Sequence, residues 1–231
     1  MQGIMLVDKP KGWTSFDAVN YVRKMIATAE GIPPKRVKVG HTGTLDPLAT
    51  GLLVLLVGKD YTRRAGEFSK LDKTYEAEMK IGQTSTTGDG EGEKTDVSAY
   101  QPSRPEVAAA LADFTGKIMQ VPPAFSAIKV KGRRAYELAR AGQTAELEAR
   151  PVEIFSCTLR SYDYPFIRFA ADVSSGTYIR SLVTDVGEAL KTGAYLSNLR
   201  RTRVGKFSVE DAVPPERLSP DTIGSYLKVA A

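Results

Sequence analysis

Six consecutive apolar residues, Leu52 to Val57, stand directly behind a polar loop that runs from Gly40 to Gly51. The run is bounded by glycines and reads as a strand buried on both faces, although periodicity alone leaves a buried helix segment open. The loop, Gly40-His41-Thr42-Gly43-Thr44-Leu45-Asp46-Pro47-Leu48-Ala49-Thr50-Gly51, is its opposite. It holds glycines, threonines, a proline, the chain's only histidine and a single carboxylate. A polar loop feeding a buried strand sets Asp46 on a rigid base beside adaptable backbone, the setting in which catalytic groups concentrate. The same pattern also suits an ordinary turn, with Asp46 capping backbone amides ahead of Pro47.

The chain has 231 residues, enough for one large domain or two small ones with a real core. Its 32 basic and 27 acidic residues leave a net charge of +5, which suits a polyanionic partner without demanding one. The single cysteine, Cys157, lies in a strand-like stretch and reads as a buried, inert thiol that forms no intrachain disulfide. Asp8, Lys9 and Lys11 interrupt the N-terminal stretch, so no signal-peptide core is expected there. No apolar run approaches the roughly 20 residues that span a bilayer. A soluble protein of a reducing compartment, the cytoplasm, is the expectation.

Along the chain, Gly3 to Val7 reads as a strand and Lys9-Pro10-Lys11-Gly12-Trp13 as a turn. Thr14 with Asp17 makes a capping box, Val19, Val22 and Ile26 mark one helical face, and Gly31 with Pro33 ends that helix. Lys35, Arg36 and Lys38 precede the polar loop, either as a solvated face or as phosphate contacts. Tyr75, Ala77, Met79 and Ile81 alternate with Glu76, Glu78 and Lys80, as in a half-buried strand. The segment 82–92 is rich in Gly, Thr and Asp but lacks the ligand spacing of a calcium loop, and no metal is expected. Ser103 with Glu106 opens a second helix. Lys129, Lys131, Arg133 and Arg134 surround Gly132 between aromatic residues, fitting either a solvated hairpin tip or a single-stranded RNA contact. Val152 to Leu159 and Ile167 to Val173 read as strands. Ile179, Leu182, Val183, Val186 and Leu190 fall at helical spacing, and Arg180 in that helix's first turn opposes the dipole, so a nearby anion or solvent must hold it.

Gly40-His41-Thr42-Gly43-Thr44-Leu45-Asp46-Pro47-x-Ala49-Thr50-Gly51-x-Leu53 resembles the signature loop of the TruB family of tRNA pseudouridine synthases. Four further stretches match in family order: Lys9-Pro10-x-Gly12-x-Thr14-Ser15, the Lys73-x-Tyr75 strand, the 120–136 segment with its paired prolines, and Gly176-Thr177-Tyr178-Ile179-Arg180. The 82–92 loop, with Ser85 replacing a threonine, and the basic strand from Leu199 to Phe207 extend the match to residues from about 3 to 213. One departure follows Gly58, where Lys59-Asp60-Tyr61-Thr62-Arg63 carries an extra residue and no alanine, which puts the geometry of that helix start in question.

The resemblance implies an α+β pseudouridine synthase fold: a central mixed, mainly antiparallel sheet flanked by helices and loops, with a catalytic cleft across it. It implies one catalytic domain over 1–213 with a gripping loop at about 124–150; typical bacterial members carry a further RNA-binding domain of the PUA type, whereas here a short tail over 214–231 without one is the expectation. It makes Asp46 the catalytic carboxylate, Tyr75 the active-site tyrosine and Arg180 the partner of Asp46. His41, Tyr178 and Leu199 would bind the target nucleotide, and Lys129, Lys131, Arg133 and Arg134 the RNA backbone. The implied reaction isomerises uridine 55 in the T-loop of tRNA after base extrusion, C1′–N1 cleavage and rejoining at C5. It requires neither cofactor nor metal. The implied partner is the T-arm stem-loop, bound by a monomer with no obligate protein partner.

Overall fold

The computed structural model describes residues 1–126, 128–130, 132–143 and 147–229. The chain forms two compact units, Met1–Tyr75 with Leu199–Ala231, and Glu76–Asn198. The first begins with β1 (Gly3–Lys9) and α1 (Ser15–Glu30). The Thr14–Asp17 capping box is formed in both directions, and Gly31 closes the helix in the left-handed conformation at φ 63°. Its buried face includes Val19, Val22 and Ile26. β2 (Val39–His41) and β3 (Thr50–Val57) follow, and every residue of β3 after Thr50 is buried. The apolar run is therefore a strand and not a helix. Both β1 and β2 pair antiparallel with β3. On one face Ile4, Leu6, Leu52, Val54 and Leu56 share a cluster with Phe68, Val204 and Phe207. Each fully buried side chain of this size contributes roughly 1.5–3 kcal/mol relative to exposure.

After Gly58, at φ 90°, the chain makes two single-turn helices, α2 (Lys59–Arg63) and α3 (Ala65–Ser69). The second carries Phe68 into the cluster. β4 (Lys73–Ile81) then shows the alternation read from its sequence, with Tyr75, Ala77, Met79 and Ile81 buried.

In the second unit β5 (Gln83–Ser85) and β6 (Lys94–Asp96) form a hairpin. α4 (Arg104–Asp113) starts at the Ser103–Glu106 capping box and packs on a strand further along. β7 (Gly116–Gln120) leads to the paired prolines, then β8 (Lys129–Val130), β9 (Arg133–Arg134) and α5 (Ala135–Arg140). The long strands β10 (Arg150–Asp163) and β11 (Phe166–Val173) pair antiparallel, and β7 pairs antiparallel with β10. β10 outruns its sequence pattern because register shifts at Ile154–Ser156 and Leu159–Ser161 break the alternation. Cys157 is buried in β10, and burial pushes its thiol up to about 12, so it stays protonated. α6 (Ile179–Ala189) buries Ile179, Leu182, Val183 and Val186. β12 (Ala194–Val204) then carries the chain back into the first unit.

There Gly205, at φ 53°, turns β12 into β13 (Phe207–Ser208), so the basic strand ends before Phe207. Residues after Pro214, a short tail by pattern, return along β1. Ile4 and Lys228 exchange two backbone hydrogen bonds of 2.8 Å, and Ile223 is fully buried. The pairing is thus mixed and mainly antiparallel with helices about it, the α+β class expected.

Within the first unit β12 pairs in parallel with β3, with Arg200 opposite Thr50 and Arg201 opposite Gly51. Gly51 sits at φ 99°, and a Cβ there would lie 2.3 Å from the carbonyl oxygen of Arg201. Gly51→Ala is therefore expected to destabilise the protein by more than about 2 kcal/mol. A urea melt should show a lower midpoint with an unchanged m-value; an unchanged midpoint would mean that the strands separate there without penalty.

Candidate active site

In the first unit the loop between β2 and β3 is held from three sides. The Ser15 hydroxyl accepts from the Leu45 amide at 2.7 Å and donates to the Leu45 carbonyl at 3.0 Å. The Gly12 amide donates to the Pro47 carbonyl at 2.8 Å. The residues on either side of Asp46 are thereby tied to the turn and helix start that follow β1. Asp46 begins a tight turn in which its own carbonyl accepts from the Ala49 amide at 3.0 Å. The Lys9-to-Ser15 motif thus works as a clamp on this loop.

The third side is Arg201. β3 offers one edge to β2 at residues 55–57 and to β12 at residues 50 and 51. Between them, the Val54 carbonyl accepts from the Thr42 amide at 3.1 Å. The Leu52 carbonyl accepts from Arg201 Nε at 2.8 Å. The same guanidinium donates to Gly43 O at 3.0 Å and Thr44 O at 3.4 Å. A side chain here replaces a missing strand, as buried carbonyls require. Arg201 is only 2% exposed.

Two more cations are buried beside this loop. Lys9 is fully buried and donates to Pro10 O at 2.9 Å and Trp13 O at 2.7 Å. Burial pushes its ammonium down to about 8, against the pull of the Asp46 carboxylate and with the help of the Arg201 charge. Lys73 is likewise pushed down to about 8 by burial and by Arg201, and it donates to the carbonyls of Ser69 and Leu71. His41 is held below its ordinary value, first by burial and then by Arg201, which favours neutral imidazole. Its Nδ1 is buried without a hydrogen-bond partner among the described residues. Tyr75 is buried on the face of β4 that also carries Lys73. Leu199 is buried, and its carbonyl accepts from the Thr50 hydroxyl at 3.4 Å.

In the second unit Tyr178 is the residue before α6, and the Gln120 side-chain amide brackets it. The Tyr178 amide donates to Gln120 Oε1 at 2.8 Å, and Gln120 Nε2 donates to Tyr178 O at 3.1 Å. Arg180 is buried in the first turn of α6 and donates to Phe125 O at 2.7 Å and Thr87 O at 3.1 Å. Its Nε lies 3.9 Å from Asp89 Oδ2, so an anion of the kind its place on the helix calls for is present. Asp89 is itself fixed by the Thr87 hydroxyl at 2.6 Å and the Glu91 amide at 3.0 Å. In the basic segment Lys129 pairs with Arg134 and Val130 with Arg133 across Gly132, a hairpin whose Arg133 side chain is exposed. Lys131 lies outside the described residues.

The site list thus falls into two sets, Asp46, His41, Tyr75 and Leu199 in the first unit and Arg180, Tyr178 and the basic hairpin in the second. The structure adds the buried polar residues Lys9, Lys73 and Arg201 beside the Asp46 loop and Asp89 beside Arg180, none of which the sequence reading places at the site. For Lys9 and Asp89 the motif spacing was the available signal; for Arg201 only the parallel pairing reveals its role.

Residues 29–179 match the model of the TruB family pseudouridylate synthase N-terminal domain, and residues 180–223 that of the tRNA pseudouridylate synthase B C-terminal domain. The chain belongs to the TruB family of pseudouridylate synthases. It is 46% identical, over 95% of its own length and 65% of the relative's, to a Burkholderia lata protein named tRNA pseudouridine synthase B. A Protochlamydia amoebophila protein of the same name is 45% identical over 92% of this chain and 78% of its own. Among solved structures, a Cbf5-Nop10-Gar1 complex contains a chain of 27% identity and TM-score 0.71, covering 97% of this chain and 54% of that one. A second, an H/ACA RNP bound to a substrate RNA containing 2′-deoxyuridine, gives 25% identity and TM-score 0.67, covering 97% and 53%. The chain therefore spans about two thirds of the Burkholderia relative and about half of those structural neighbours. Among the described residues no helix is long and apolar enough to cross a membrane.

Proposed function

We propose that this chain isomerises uridine 55 in the T-loop of tRNA to pseudouridine, with Asp46 as the catalytic carboxylate. The observation that carries the reading is the immobilised Asp46 loop. Ser15, Gly12 and Arg201 hold it through hydrogen bonds of 2.7 to 3.4 Å, and the charge of Lys9 acts on Asp46 itself. A carboxylate that attacks or removes a proton must stay ionised and must not wander. Buried cations serve the first need and a clamped backbone the second. Arg180 is assigned the electrostatic support of Asp46, Tyr75 the stacking and proton-transfer role, and Tyr178 and Leu199 the walls of the uracil site. A neutral His41 with an orphan Nδ1 suits a hydrogen bond to extruded RNA. The basic hairpin is assigned the backbone of the T arm. The protein acts as a monomer in the cytoplasm.

Incubation with unmodified tRNA and with an isolated T-arm stem-loop, followed by pseudouridine mapping, tests this directly. Modification at the T-loop uridine of both is expected, with affinities within about tenfold, or 1.4 kcal/mol, at one salt concentration. The likeness to chains from Cbf5-containing complexes gives a second reading, a subunit that acts only with a guide RNA. No turnover by the protein alone, restored by a guide, would favour it.

A further inference from the structure

We propose that a groove between α1 and the segment entering β2 is a second phosphate site, which takes RNA backbone outside the target nucleotide; this rests on the RNA-modifying role above. The groove, of about 530 Å³, lies wholly within the first unit. Its lining includes Arg23 and Lys24 from α1, Lys35 and Lys38 from the turn before β2, and the neutral donors Asn20 and Thr62. No carboxylate lines it. None of the four cations has a carboxylate within ion-pair distance among the described residues, whereas Arg200 in the same unit is bidentate to Asp8 at 2.8 and 3.0 Å.

Arg23 is already oriented. It donates to Asn20 Oδ1 at 2.6 Å and Val39 O at 3.4 Å, and its guanidinium carbon stands 5.9 Å from the ring centre of Phe16. That ring is 60% exposed, an unusual setting for phenylalanine and a stacking surface beside the charge. Four like charges facing one concavity repel one another unless an anion fills it. Small-molecule sites are mostly apolar with few charges, so the lining favours a phosphodiester strand over a free nucleotide. Gly40 also lines the groove and Asp46 is six residues on, at most roughly 20 Å of extended chain. That is a span of a few nucleotides from the target base.

The test uses the Lys24→Ala, Lys35→Ala, Lys38→Ala triple variant and its charge-preserving triple-arginine counterpart. All three side chains are exposed, so the thermal midpoint should not move. Affinity for an unmodified T-arm stem-loop is measured across a salt series. The alanine variant should bind at least about tenfold more weakly near 0.1 M salt. Its log–log salt slope should be shallower by about 2, from roughly 0.7–0.9 per lost phosphate contact, and arginine should restore both. An unchanged affinity and slope would overturn the site. Saturable binding of inorganic phosphate or uridine monophosphate in the groove, mapped by NMR on the wild type and lost in the alanine variant without a change in RNA slope, would overturn the RNA assignment. These readouts need no chemistry, so failure of wild type to form pseudouridine sinks the catalytic reading and leaves this one to stand or fall by itself.

Discussion

Asp46→Asn is expected to abolish isomerisation while RNA affinity stays within a few-fold. Asparagine is close to isosteric and the clamps grip backbone atoms of the loop rather than the Asp46 side chain, so the fold around it should persist. What is lost is the carboxylate that can attack or take a proton. Arg180→Ala should also slow the chemical step severely, because a buried guanidinium with three acceptors around it is removed. If the two act as one unit, the double variant should be scarcely slower than Asp46→Asn alone. Single-turnover isomerisation at saturating enzyme, with affinity measured separately on the same stem-loop, reads all of this. Near wild-type turnover in Asp46→Asn would end the proposed function, and an equal collapse of affinity would make Asp46 a binding residue.

Arg201→Met should unfold the loop from beneath. The stem is replaced, but the Leu52 carbonyl loses its donor in the buried interior, and the carbonyls of Gly43 and Thr44 lose theirs at a part-buried edge. At about 1–3 kcal/mol for the stranded buried Leu52 acceptor, and less for the two part-buried ones that water can reach, a loss on the order of 2–4 kcal/mol is expected. Arg201→Lys should fall between, since an ammonium cannot span the same fork of acceptors. A second signal separates a structural loss from an electrostatic one. His41 is the chain's single histidine, so its imidazole resonances are unique. Burial first and the Arg201 charge second hold its titration down, and removing that charge should move it upward; Arg201→Lys should leave it low. Melts that match wild type and an unmoved His41 titration in Arg201→Met would refute the tether.

Much of this structure was legible one segment at a time. The capping boxes at Thr14 and Ser103, the alternation through Tyr75 to Ile81 and the helical face after Tyr178 rest on neighbours three or four residues away, or on a period of two. Local chemistry sets such features wherever the segment lies. Leu52 to Val57 was different: its apolarity marked burial, and pairing on both edges decided that it is a strand.

Arg201 shows where local reading ends. Its acceptors lie 149 to 158 residues away in sequence, brought near by the parallel pairing of β12 with β3. Nothing in a basic stretch distinguishes the arginine that will be buried from Arg200, which points to Asp8. Lys9 poses the same problem, because lysine is ordinarily exposed and a Lys-Pro-x-Gly stretch reads as a turn. The residues after Pro214 carry no period, since the isolated bridge of Lys228 to Ile4 imposes none. Sequence alone determined the elements, the polar loop and its single carboxylate, because these follow from adjacent side chains and backbone geometry. Tertiary structure alone decided which charges are buried around that loop, because burial of a charge depends on acceptors that distant strands supply.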